Sequence, residues 1–275
     1  MKFMKNFKYA IVLDFEASCD DIQAPRPQEI IEFPSIAVSL SNFEIIGEFS
    51  SFVKPFHNPQ LSDFCKNFTS ISQEDMDGAE LFSEVLKKYL DWLSRLDLNI
   101  DNSIIVTCGD WDLGTMFPAQ CSVSVPAVEQ IPPLFTRWHN IKQTFCSVRN
   151  TRKAPGMAGM LKNLGLQLLG NHHRGIDDCR NITEILKFLV REGGKISATK
   201  ELPLSKYPPI TLNMRLRDEM KEIRLETRDM KALNSLAGKT FKKKISQFYR
   251  HDRSLLEGDH HLKTLIPGEE ILLIE

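Results

Sequence analysis

The chain has 275 residues, 42% of them hydrophobic, and 35 Lys and Arg against 36 Asp and Glu, a formal net charge of −1. That length buries one sizeable core and leaves room for an appendage. A near-neutral balance excludes recruitment to a polyanion by global charge alone. The charge is uneven, however: residues 1–190 hold 18 Lys/Arg and 23 Asp/Glu, whereas 191–275 hold 17 and 13. Six scattered cysteines with no C-x-x-C pair suit free thiols in a reducing compartment better than disulfides or a zinc knuckle. No apolar run reaches a membrane span, and the N-terminus lacks a charged region followed by an apolar core. The expectation is an intracellular protein, cytoplasmic, nuclear or both, with no membrane partner.

In chain order, residues 9–17 read as a central strand, and "SIAVSLSN" with "EIIGEFSSFVKP" as two more strands around a turn at Ser41 and Asn42. Helical material follows Asn58-Pro59-Gln60. Apolar residues at Leu81, Phe82, Val85, Leu86, Tyr89, Leu90 and Leu93 predict an amphipathic helix with one buried side. "SIIVTCGDWD" is again a β-rich run that ends in acid. Residues 113–145 hold four prolines and predict loop, short helices and a strand near "IKQTFCSV". Two helices are expected beyond it, from "MAGMLKNLGLQLLG" and from "DDCRNITEILKFLVREGG", the second closed by two glycines. After Gly194 the chain becomes proline-rich, then highly charged, which sets a main domain at 1–194 and a partly basic extension at 195–275. With no cysteine beyond Cys179, the extension holds no cysteine-liganded zinc site.

The first strand carries the chemistry. Asp14 and Glu16 flank Phe15 behind four apolar residues, and alternation puts both carboxylates on one strand face, with about 7 Å between their Cα atoms. Two such charges repel unless a cation joins them, and burying them unpaired costs several kcal/mol. Asp110 and Asp112 bracket Trp111 at another strand end, where helix capping is the alternative role. Asp177 and Asp178 open a helix, where carboxylates are favoured by the dipole, and His172 and His173 precede them. Taken together, Asp14, Glu16, Asp112 and Asp178 form a four-carboxylate nest if two strand ends and a helix start converge. Such a nest suits two Mg²⁺ or Mn²⁺ ions, with His173 leaning over it as general base for phosphodiester hydrolysis.

"DFEASCD", "EIIEFPSIAVSL", "LSDFCKNFTSISQEDMD", "CGDWD" and "HRGIDDCRNI" resemble, in order and spacing, the DEDDh 3′→5′ exonucleases, and within them the Eri-type branch, over residues 7–192. The resemblance implies a ribonuclease H-like α/β fold, a mixed five-stranded sheet flanked by helices. It also implies stepwise release of nucleoside 5′-monophosphates from the 3′-OH end of RNA, DNA or both, single-stranded or with a 3′ overhang. It assigns Asp14 and Glu16 to the first motif, Asp112 to the second, and His173 with Asp178, rather than His172 and Asp177, to the third. Asp110 is left to support the loop or face solvent.

For the terminal nucleotide the same resemblance points to backbone amides of Ala17 and Ser18, to slot walls from Phe68, Thr69, Ile71 and Trp111, and to Arg174 at a phosphate. Asn171 and Ser18 depart from the branch's usual Arg and Thr. In the extension, Lys242, Lys243 and Lys244 are candidates for nonspecific phosphate contact, against the plainer role of a solvated charged face. The competing class is a catalytically weak nucleic-acid-binding or adaptor protein on the same fold.

Overall fold

The opening apolar run forms β1 (Tyr9–Leu13), antiparallel to β3 (Ile30–Ser39) on one side and parallel to β6 (Ser103–Thr107) on the other. The computed structural model describes residues 7–203 and 206–274. β2 (Glu16–Ala17) also pairs with β3, which turns into β4 (Ile45–Lys54). Two-residue β5 (Glu80–Leu81) and β8 (Lys200–Glu201) lie at the ends of the sheet and β7 (Arg137–Asn140) inside it, giving the order β5-β4-β3-β1-β6-β7-β8. The five longer strands of this series form the mixed sheet the sequence implied, extended by short edge pieces.

Residue alternation decides what covers each side. Ala10 and Val12 of β1 join Ile36, Val38, Ile104 and Val106 in a core covered by α5 (Ile141–Arg149), α6 (Met157–Leu164) and α7 (Gly175–Arg191). Along the chain before them lie α1 (Asp63–Thr69), α2 (Gln73–Asp77), α3 (Phe82–Arg95) and α4 (Phe117–Val123). α3 is the amphipathic helix expected; its Phe82 and Tyr89 stack near Phe33, and Phe15 packs edge-on to Phe33 with ring centroids 4.8 Å apart. Phe15 therefore points into an aromatic core, which leaves the opposite side to its two acidic neighbours.

Two expectations change. Residues 9–17 are not one continuous strand: the ladder breaks at Asp14 and Phe15, and the Phe15 N–H donates instead to Asp112 Oδ1 at 2.9 Å. "IKQTFCSV" is not a strand but α5, because Asn140 caps it by accepting from the Lys142 N–H at 3.1 Å, and "RWHN" just before it supplies β7.

The chain divides into two compact units, the first running to Pro126 and resuming over Pro132–Glu201, the second joining Ala127–Ile131 to the chain from Leu202 onward. In the second unit β9 (Ile210–Leu216) and β10 (Glu219–Leu225) form a hairpin, followed by α8 (Met230–Phe241), β11 (Gln247–Arg250), the single turn α9 (Asp259–Leu262) and β12 (Glu270–Ile274). The strand order is β10-β9-β12-β11, with β9 and β12 parallel at the centre. Its core has Leu233, Ala237 and Phe241 of α8 facing Ile210, Leu212 and Met214. Buried Arg228 ties the unit together: Nη1 donates to the Leu262 and Leu265 carbonyls (3.1 and 3.0 Å) and Nη2 to that of Glu129 (2.7 Å).

Candidate active site

Three carboxylates converge at the interrupted strand. Oxygens of Asp14, Glu16 and Asp178 lie within 4.8 Å of one another. Asp14 follows the last β1 residue, Glu16 opens β2, and Asp178 sits in the first turn of α7, the helix that covers this side of the sheet. Asp112 begins a π-helical turn after β6, and its Oδ1 accepts the N–H that the broken ladder frees at Phe15. Asp112 lies outside the closest trio, yet its charge is the strongest neighbouring one acting on Asp14.

The electrostatics are those of crowded, desolvated acids. Burial first, then Asp112, Glu16 and Asp178, hold the Asp14 carboxyl well above its ordinary range. Burial and the Asp178 charge push Glu16 up to about 9. Asp112 and Asp178 are each pushed up to about 6, mainly by burial; the Phe15 N–H and, more weakly, Lys142 pull Asp112 back, while the His173 N–H pulls back Asp178. Asp178 Oδ1 is buried with no hydrogen-bond partner. An orphaned carboxylate oxygen beside two further acids is a donor set of the hard-oxygen kind that divalent cations take, so these residues fit the metal the motifs imply.

His173 has a positive φ of 67° and its N–H donates to Asp178 Oδ2 at 2.9 Å. Its ring stacks on Phe68 at a centroid distance of 3.9 Å and lies 3.8 Å from that of His172. Partial burial, then His172, lowers its pKa, which favours the neutral imidazole. His172 also has a ring nitrogen within 4.8 Å of His173 and Asp178. Asp177 faces elsewhere, accepting the Asn171 N–H at 3.0 Å and bonding Arg180 at 2.9 Å. Asp110 supports the loop, accepting from Trp138 Nε1 and Asn140 Nδ2, each at 3.0 Å.

The expected nucleotide slot is only partly open. Phe68 and Trp111 are each 41% exposed, and a base can stack on such rings. Ile71, by contrast, is fully buried among Ile31, Leu61 and Met76 and forms no slot wall. Thr69 is buried too, its hydroxyl donating to the Cys65 carbonyl at 2.8 Å. Ser18 exchanges bonds with Glu29: its N–H donates to the Glu29 carbonyl (2.8 Å) and its hydroxyl accepts the Glu29 N–H (3.0 Å). Its amide serves strand pairing, and of the two predicted amides that leaves Ala17, which is buried in β2. Arg174 lies over the Phe52 ring at 4.6 Å, with Nε 3.5 Å from Glu32 and Nη1 donating to the Ser70 carbonyl. Lys242, Lys243 and Lys244 are exposed in the second unit, just after α8.

Glu32 was missed as a site residue. It stands opposite Glu16 in the β2–β3 pairing, fully buried, and accepts the Gly175 and Ile176 N–H groups at 3.0 and 3.3 Å. It thereby fixes the start of the helix that presents Asp178. The signal was present: a lone acid inside the apolar "IIEFPSIAV" has to bind something.

The family model described as Exonuclease (RNase_T) matches residues 11–186. Human ERI1 exoribonuclease 3 is 40% identical over 193 residues, 69% of this chain and 56% of its own length. The 3′-5′ exonuclease Snipper of Drosophila melanogaster is 32% identical over 215 residues, 72% of this chain and 75% of its own. The solved nuclease domain of 3′hExo, a DEDDh family member bound to rAMP, superposes with a TM-score of 0.65 at 31% identity, covering 71% of this chain and 98% of that one. The chain thus spans little more than half the length of the ERI1 exoribonuclease 3 relatives, 56%.

Proposed function

Because the chain belongs to the Exonuclease (RNase_T) family, and within it to the Eri-type DEDDh branch, we propose that it is a divalent-metal-dependent 3′→5′ exonuclease that trims RNA from a free 3′-OH end. The observation that carries this reading is the Asp14–Glu16–Asp178 convergence within 4.8 Å, with Asp178 Oδ1 buried and unpartnered. Asp14, Glu16 and Asp178 would hold the Mg²⁺ or Mn²⁺ ions, with Asp112 completing the set. Bound there, two cations supply charge stabilisation for the attacking and leaving oxygens of an in-line displacement.

The protein's own groups do the rest. His173, kept neutral by burial and by His172, accepts the proton of the attacking water. Its N–H bond to Asp178 fixes the loop from which the ring projects. As the P–O3′ bond breaks, the penultimate nucleotide keeps the 3′ oxygen and the released nucleotide keeps the phosphate on its 5′ oxygen. Trp111 offers an exposed ring for a terminal base, and Phe68, partly exposed where it stacks on His173, an exposed edge beside it, which favours an unpaired end. RNA is preferred over DNA in this reading because the relatives are named as exoribonucleases.

A time course on matched 3′-labelled and 5′-labelled RNA and DNA strands tests the proposal. Mononucleotides released first from the 3′ label with Mg²⁺ or Mn²⁺, and none with chelator, are expected. Cleavage of a circular single strand, or binding without turnover under every metal condition, overturns it; the second result would favour the adaptor class.

A further inference from the structure

Two cysteines with no part in hydrolysis meet beside the acidic strand. Cys19 lies three residues beyond Glu16, and Cys65 lies in α1, the helix that carries Phe68. Ser62, the cap of α1, holds them together: its hydroxyl donates to the Cys19 carbonyl at 2.8 Å and accepts the Cys65 N–H at 3.0 Å. Cys19 packs against the small apolar cluster around Cys65. The neighbouring Cys19 thiol draws the Cys65 thiol down to about 7, and Cys65 raises that of Cys19. Cys65 is fully buried, whereas Cys19 is partly exposed at a cleft of about 130 Å³ lined also by Asp20, Gln60, Leu61 and Ser62.

We propose that Cys19 and Cys65 are an oxidisable dithiol, closed to a disulfide by a low-molecular-weight disulfide that enters through this cleft, and that closure turns the nuclease site down. In the first step the Cys19 thiol attacks the small disulfide and gives its proton to the small thiolate that leaves, so that a mixed disulfide forms on Cys19. Cys65 then loses its proton and attacks the Cys19 sulfur, and the second small thiolate leaves. Two protein thiols are oxidised, one small disulfide is reduced, and the two thiol protons end on the two small thiols.

The consequence follows from what the two segments carry. A covalent S–S bond, about 2.05 Å long, is shorter than any packing contact between two sulfurs, so α1 and the segment after Glu16 must approach each other. One turn beyond Cys65, Phe68 is stacked on the His173 ring, so the shift reaches the imidazole and the exposed Phe68 edge together. The effect on turnover rests on the exonuclease reading; bond formation does not.

The full chain is incubated with glutathione disulfide or with dithiothreitol, digested without reduction, and mapped by mass, with nuclease activity followed in parallel. A Cys19–Cys65 cross-linked peptide is expected. Turnover should fall at least about tenfold and return with dithiothreitol, since an ångström-scale misplacement of a reacting group costs up to about a hundredfold. Cys19→Ser should fold, stay active and lose both the cross-link and the oxidant sensitivity. Should that variant fail to fold, the peptide map of the unsubstituted chain decides alone. A stable glutathione adduct on Cys19, or a cross-link to another cysteine, overturns the dithiol; a Cys19–Cys65 bond with unchanged turnover overturns the regulation. A reduced chain that is inactive while the cross-link still forms counts against the exonuclease reading and not against the dithiol.

Discussion

Glu29 and Glu32, at the start of β3, are buried carboxylates on the same sheet as Asp14 and Glu16, but the two pairs are given opposite company. Glu29 accepts three backbone N–H groups, of Phe56, His57 and Asn58, at 2.8 to 3.0 Å. Glu32 accepts two and lies beside Arg174. Asp14 and Glu16 have no such donors among their main neighbours and are crowded by Asp112, Asp178 and, more weakly for Asp14, Glu32 itself. A carboxylate answered by donors is a structural tie, whereas one surrounded by its own kind is completed from outside. Burial alone does not separate these roles; the sign of the neighbours does.

The sharpest way to break this comparison is to neutralise one member of each kind. Asp178→Asn and Glu16→Gln should each lower turnover by at least about a hundredfold. In chelator they should raise the melting temperature, because they remove like-charge repulsion. Glu32→Gln should lose turnover through displaced Asp178 and also melt lower. Glu29→Gln should melt lower with metal affinity unchanged. A metal-site variant that melts lower in chelator, or a Glu29 variant that loses metal, would erase the distinction. Isothermal titration with Mn²⁺ and thermal melts read both sides.

Neighbours in the third motif sharpen the same point. His173→Ala should cost about 10²- to 10⁴-fold in turnover, as expected for a general base. His172→Ala should leave most of the rate, with a modest rise in the His173 pKa seen in the acid limb of the pH–rate profile. Asp177→Asn should cost about 1 kcal/mol of stability, because its work is at the helix start. Equal losses from all three would put the base and ligand one residue away from where the geometry favours them.

The pH dependence separates the two kinds without mutation. In the acidic nest the folded pKa values lie near 6 for Asp112 and Asp178 and near 9 for Glu16, above ordinary values of 3.8 and 4.5. The folded state therefore holds protons that the unfolded chain has already released, and stability falls with rising pH wherever that difference exists. Metal-free protein should lose stability progressively from about pH 4 to 9, most steeply below about pH 6, where all four acids, Asp14 included, contribute. Added Mn²⁺ should restore it, and by more at higher pH, where the ligands are already deprotonated. A flat metal-free profile over this range, followed by thermal melts, would mean that the acids are not as crowded as their separation implies.

The two-residue period of "LDFEA" and the helical period of the α3 segment made the sheet face and its covering helix legible. What the sequence hid was where local polar bonds overrule period. The strand stops at Asp14 because the Phe15 N–H finds Asp112, 97 residues away, and no window of sequence contains that partner. Thr69 and Ile71 looked like slot walls beside exposed Phe68, but a left-handed Ser70 ends α1 and folds both inward. The second unit was legible in one respect that its charge obscured: "ITLNMRL" alternates strictly, and its burial alternates with it. Residues 127–131 join that unit through the Glu129 carbonyl on Arg228, a tie that has no sequence signature.

The smallest expected effect lies in that second unit, where charge sits on a finished fold. Lys242 ends α8 in a left-handed conformation, and Lys243 and Lys244 follow it, all three exposed. Because all three side chains are exposed, a triple Lys→Gln variant should melt within about 0.5 kcal/mol of the parent. If the cluster meets phosphates, each lost contact lowers the slope of log affinity against log salt by roughly 0.7 for a single strand. A thirty-nucleotide RNA should then bind more weakly at low salt while turnover on a trinucleotide, too short to leave the acidic site, stays the same. Filter binding across a salt series separates the outcomes: an unchanged slope makes the lysines a solvated surface, whereas lost trinucleotide turnover in a normally folded variant would give the second unit a share in the chemistry that its own residues do not suggest.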